Sequence, residues 1–151
     1  MLTELLKILG QGVVAAFVSW VAIFFALSRY KSEKIYDRVL GIYTDAIALV
    51  SEMAEVTIEQ RVKRDMGKLS DQENSAFDER YRVAADRLKG IRAVASILAP
   101  PAANTMEELI QTLQRLDHNR DLSSLAQQFE RVKAFGLAQE RLVAHGQESL
   151  G

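Results

Sequence analysis

Site chemistry requires side chains that exchange protons, attack an electrophile or hold a metal, and this chain carries few of them. It has two histidines, His118 and His145, and no cysteine. The missing thiols exclude cysteine nucleophiles, zinc-thiolate sites, iron–sulfur clusters and disulfides. Neither histidine stands in a His-x-x-x-His or Glu-x-x-His pattern, so neither a zinc helix nor a di-iron bundle is encoded. Ser123-Ser124 reads as a helix N-cap. The eight glycines are scattered and form no phosphate loop or dinucleotide fingerprint. Asp78-Glu79 and Glu107-Glu108 fall near helix starts, where acids complement the helix dipole. The expectation is a non-enzyme with no cofactor, no metal and no small-molecule substrate.

Charge narrows the partners. Nineteen Lys and Arg face twenty Asp and Glu, a formal net charge of -1. A protein that coats nucleic acid is normally basic, so nucleic acid is not expected. Two local basic clusters stand out: Arg61, Lys63, Arg64 and Lys68, then Arg80, Arg82, Arg87, Lys89 and Arg92. They interleave with Asp65, Asp78, Glu79 and Asp86, as on a solvated helix face. No aromatics alternate with them to stack bases.

The elements that carry these residues begin with an apolar run. Residues 8–28 contain no charge, and Val13–Leu27 contains one polar residue, Ser19. As a helix, such a run spans roughly 31 Å, the thickness of a bilayer's hydrocarbon core. Its aromatics point to several faces, which suits lipid better than a soluble core. Ala26-Leu27-Ser28 has the small residues of a signal-peptide cleavage site. Glu4 in the leader and the basic residues just after the run favour a retained transmembrane helix. Arg29, Lys31, Lys34 and Arg38 form a basic membrane-interface set. They place the N-terminus outside and the C-terminal part in the cytoplasm. The expected organisation is a tail and span over 1–28 and a cytoplasmic helical bundle over 29–151. Gly12, Ala15, Ser19, Ala22 and Ala26 step by three and four along the span. Small residues in such a stripe let membrane helices associate closely. In phase with it come Tyr36, Leu40, Tyr43 and Ile47, expected to extend one self-association face.

Beyond the span, Ile35, Val39, Ile42, Ala46, Leu49, Met53 and Val56 repeat with heptad spacing. A second stripe, Tyr36, Leu40, Tyr43, Ile47, Val50 and Ala54, lies one residue on. Together they widen the apolar face enough for two neighbouring helices. Gly67 is a candidate C-cap, and Ser70-Asp-Gln-Glu73 has capping-box form. A second helix is expected from Asp71 to Leu98, with Phe77, Tyr81, Ala84, Leu88, Ile91 and Ala95 inward. Pro100-Pro101 ends it. Thr105-Met-Glu-Glu108 predicts the start of a short third helix. A break at 118–121 leads to a fourth, with Leu125, Phe129, Val132 and Leu142 inward, stopped by Gly146. The fold class is all-α: an N-terminal transmembrane helix continuing into an antiparallel bundle.

Leu27-Ser-Arg-Tyr-Lys-Ser-Glu-Lys34, followed by Tyr43 in an Ile/Ala/Leu-rich helix, resembles a group of uncharacterised bacterial single-pass membrane proteins. Their Arg-aromatic-x-Ser-Glu-Lys junction links an N-terminal span to a cytoplasmic helical domain. The resemblance implies a bacterial inner-membrane protein and assigns no functional residue. Arg141-Leu-Val-Ala-His145 is one residue shorter than the Arg-x4-His motif of HEPN ribonucleases and lacks its polar residue after the arginine. The stalk subunit of rotary ATP synthase is similar in layout, but Gly67, Pro100-Pro101 and the 118–121 break interrupt any single long helix. The expected function is a non-enzymatic membrane-anchored adaptor, scaffold or accessory subunit. It would meet the lipid bilayer and a protein partner, or itself. The alternative is an oligomerising membrane sensor or effector of stress or phage defence.

Overall fold

A computed structural model describes the backbone of residues 2–119 and 123–150 and the side chains of residues 33–119 and 123–149. Its helices are α1 (Leu2–Asp65), α2 (Asp71–Leu98), α3 (Pro100–His118) and α4 (Ser124–Leu150). No strand occurs among the described residues. The chain divides into two compact units, residues 1–37 and 38–151. The expected membrane span, with Gly12, Ala15, Ser19, Ala22 and Ala26, lies outside the described side chains, as do Arg29 and Lys31. Among the described residues, no helix is long and apolar enough to cross a membrane.

The second unit is an antiparallel helical bundle, and its cross-links give the topology. The Lys63 ammonium meets the Glu73 carboxylate at 2.9 Å, and the Gln60 amide donates to Asn74 Oδ1 at 2.8 Å, joining α1 to α2 near their shared turn. Arg92 pairs with Glu107 between α2 and α3. Arg131 pairs with Asp117, and Arg141 with Glu108, so α3 and α4 run in opposite directions. The Gln128 carbonyl oxygen accepts from Arg61 at 3.2 Å, the Gln139 amide donates to the Ser51 hydroxyl at 2.5 Å, and Tyr43 meets Ser149 at 3.2 Å. Numbers rise along α4 as they fall along α1, so these two are also antiparallel. Tyr81 of α2 meets the Phe135 ring of α4 edge-on at 6.5 Å across the core.

The core follows the heptad stripe of α1. Ile42, Ala46, Leu49, Met53 and Val56 are buried. From the adjoining stripe, Tyr43 and Val50 are buried as well. Phe77, Ala84, Leu88 and Ala95 supply α2, and Met106, Leu109 and Leu113 supply α3. The α1–α2 turn forms as the local sequence predicts. Gly67 takes φ +65°, a left-handed value that suits glycine. The Lys68 N–H closes on the Lys63 carbonyl at 3.0 Å. The Ser70 hydroxyl accepts from the Glu73 N–H, and the Glu73 carboxylate accepts from the Ser70 N–H.

Several expectations need correction. The third helix begins at Pro100, not at Thr105. Proline suits a first turn because its missing N–H would have no helical partner there. Thr105 is buried inside the helix, and its hydroxyl donates to the Pro101 carbonyl at 3.1 Å. The fourth helix passes through Gly146 and reaches Leu150. Leu125 and Phe129, expected inward, are 61% and 69% exposed, whereas Phe135 is fully buried. Ile35, expected on the inner stripe, is exposed. Tyr43 is buried, so it belongs to the α1–α4 contact and not to an outward association face.

Candidate functional site

A third stripe on α1 lies one residue before the core heptad: Arg38, Gly41, Asp45, Ala48 and Glu52, stepping three, four, three, four. Its counterpart on α2 is Val83, Arg87, Gly90, Val94 and Ile97, stepping four, three, four, three. Val83, Val94 and Ile97 are exposed, the last at 81%. Between these stripes lies an open groove of about 850 Å³. Ile42, Leu49, Ile91 and Leu98 contribute its apolar surface, and Arg38, Asp45, Glu52 and Arg87 its charges.

Small residues shape this groove. A β-carbon added at Gly41 or Gly90 would meet nothing within 4 Å. Glycine inside a helix costs about 1 kcal/mol relative to alanine. Two such positions facing one groove leave room for another backbone to approach. The heptad spacing on both walls suits an occupant that is itself a helix running along them.

Three of the four groove charges differ from most of their neighbours. Most bases of the two clusters named above are tied to acids. Arg61 pairs with Asp65 at 2.7 Å, and Lys63 pairs with Glu73 while standing 5.3 Å above the Phe77 ring. Arg80 reaches Glu52 and Glu59, Lys89 reaches Asp86, and Arg92 reaches Glu107. Arg82 grips Glu79 at 2.7 Å, and its hydrogen bonds hold that carboxyl below the usual carboxylate range. Arg38, Asp45 and Arg87 make no such pair among the described residues. Arg38, assigned from sequence to the membrane interface, thus lines this groove, and Lys34 is exposed.

Other chemistry does not assemble. Among the described residues no group of three His, Asp or Glu side chains could hold a metal ion. His118 Nδ1 lies 2.7 Å from the Gln114 carbonyl, and His145 lies 3.6 Å from Glu148. Arg141 is engaged by Glu108. A second apolar surface gathers the exposed Ile58 and Val62 of α1 with Leu125 and Phe129 of α4, around a hollow of about 220 Å³.

The inward stripes alone do not reveal the groove, because its walls lie one residue to the side of them. The signal was present: a glycine recurs in each outer stripe at a heptad position. No protein-family model matches the chain, and neither a curated protein nor a solved structure is similar to it.

Proposed function

We propose that this chain is a non-enzymatic, membrane-anchored adaptor, scaffold or accessory subunit that works by helix-on-helix docking along the outer face of α1 and α2. The single observation that supports this most is the groove with glycine in both walls and unpaired charge at its rim. An apolar cleft flanked by charge is how one helix recognises another: the apolar residues supply affinity and the charges supply register. The charge-free run at 8–28, followed by basic residues, supports a membrane anchor with the bundle on the cytoplasmic side, and the resemblance at the junction implies a bacterial inner membrane. Anchoring raises the local concentration of the docking face for anything held in the same membrane.

The test is the mass of the assembly in mild detergent. The full chain is expected to purify as a complex larger than one copy. A variant with Gly41→Leu and Gly90→Leu, whose added β-carbons meet nothing within 4 Å, is expected to run as a single chain. Equal masses for the two would remove the docking reading. Resistance of the native chain to alkaline extraction from membranes checks the anchor, and release by that treatment would overturn it.

A further inference from the structure

We infer that the α1–α2 groove face is covered by the same face of a second copy of this chain, packed side by side in parallel about a two-fold axis. The inference rests on the docking reading above and names its partner.

Asp45 stands on the α1 wall of the groove and Arg87 on the α2 wall. The contact between Glu52 and Arg80 sets the register of the two helices. Stepping seven residues along each antiparallel helix from that contact brings Asp45 and Arg87 to nearly the same level. Both are exposed, and neither has an ion-pair partner among the described residues. A two-fold axis parallel to the helices preserves that level. It sets α1 of one copy against α2 of the other. Asp45 then faces Arg87 of the second copy, and the operation repeats the pair on the other side. Glu52 and Arg80 also come opposite one another between copies. A two-fold axis crossing the helices at the Asp45–Arg87 level would instead oppose Asp45 to Asp45 and Arg87 to Arg87. Like charges brought together in this way are strongly disfavoured. The charge pattern therefore complements itself in the parallel arrangement.

The packing surfaces agree. Gly41 and Gly90 remove side chains where the facing helices would approach, and Val94 and Ile97 provide apolar area that the bundle leaves uncovered. Heptad spacing on both walls is the pattern of near-parallel helix packing. Such an interface is isologous, so both copies contribute the same patch and the assembly stops at two.

The native absence of cysteine makes the test direct. Full-length chains carrying Asp45→Cys and Arg87→Cys, each with its own tag, are mixed in mild detergent and treated with a short bismaleimide. The expected product is a covalent heterodimer from the mixture and none from either variant alone. In parallel, Asp45→Arg or Arg87→Asp should weaken dimerisation at least about tenfold, and the two changes together should restore it. Both sites are exposed, so the helical circular-dichroism spectrum should be unchanged and serves as the folding control, while the melting temperature follows dimerisation. No heterodimer, or a crosslink in the Asp45→Cys sample alone, overturns the parallel second copy. If the Gly41→Leu, Gly90→Leu pair still dissolves a complex in that event, docking survives with a different occupant. If it changes nothing, docking itself fails.

Discussion

The Tyr43 hydroxyl lies 3.2 Å from the hydroxyl of Ser149, 106 residues further along the chain. The same tyrosine lays its ring on Gly146, with Cγ 3.4 Å from the place of a β-carbon there. A glycine that reads as a helix stop is therefore a contact surface inside a helix. Gly146→Ala is expected to hold or raise the melting temperature: its methyl group just fits, and helix propensity improves by about 1 kcal/mol. Gly146→Leu should lower it, because the longer side chain displaces the ring. Thermal melts of the two variants, read by circular dichroism, check both.

Phe129 and Phe135 stand on one helix and differ completely in surroundings. Phe135 is fully buried against Tyr81, so Phe135→Ala should cost about 3–5 kcal/mol in urea unfolding. Phe129 is 69% exposed, so Phe129→Ala should change stability by less than about 0.5 kcal/mol. Similar losses at both sites would mean that the register of α4 is wrong.

The capping box at the start of α2 makes a joint prediction. Ser70→Ala removes the acceptor for the Glu73 N–H and should cost about 1 kcal/mol. The Lys63 hydrogen bond, then those from Ser70, hold the Glu73 carboxyl below the usual carboxylate range. A depressed folded value stabilises the fold above the unfolded value and is lost as pH falls through the folded one. Glu107 behaves alike, lowered by hydrogen bonds from Gln111 and then Arg92. Acid should therefore erode this stability as pH falls through the ordinary carboxylate range, with the loss complete only below it. Lys63→Met should move the onset of acid unfolding to higher pH, as measured by circular dichroism against pH.

At the alkaline end the sign reverses. Burial raises the Tyr81 phenol above its ordinary value. The neutral form favours the fold, so this contribution is complete below the unfolded value and fades as pH rises through the folded one. Phenolate absorbance should show one tyrosine that ionises late, and Tyr81→Phe should remove that step. Persistence of the late step in the variant would reassign it.

Much of the bundle was legible because its signals are local. The C-cap at Gly67, the box at Ser70 and the core stripe of α1 each depend on residues a few positions apart. What the sequence leaves undecided is either ambiguous in local form or set by partners distant in the chain. Thr105-Met-Glu-Glu108 has the form of a capping box but sits within α3, because the pattern is compatible with a helix interior. Pro100-Pro101 signals the end of α2, and the same prolines also begin the next helix. Leu125 and Phe129 have helical spacing with one another, but not with the Phe135, Ala138 and Leu142 stripe that α4 buries. The groove charges Asp45 and Arg87 have the form of ordinary solvated residues, and only their place on facing walls of one groove distinguishes them.

Ala99 is shared by two helices. Its N–H closes α2 on the Ala95 carbonyl at 2.8 Å, and its own carbonyl accepts the first bond of α3, from the Ala103 N–H, at 3.1 Å. The corner between α2 and α3 thus has no slack, and Arg92 finds Glu107 only 15 residues away. Closing so short a loop carries little entropic penalty, whereas joining Tyr43 to Ser149 requires most of the chain to be in place. The consequence is an order of assembly. The α2–α3 hairpin is expected to form early and the seam between α1 and α4 to close last; native-state hydrogen exchange that leaves α2–α3 less protected than that seam would overturn this order.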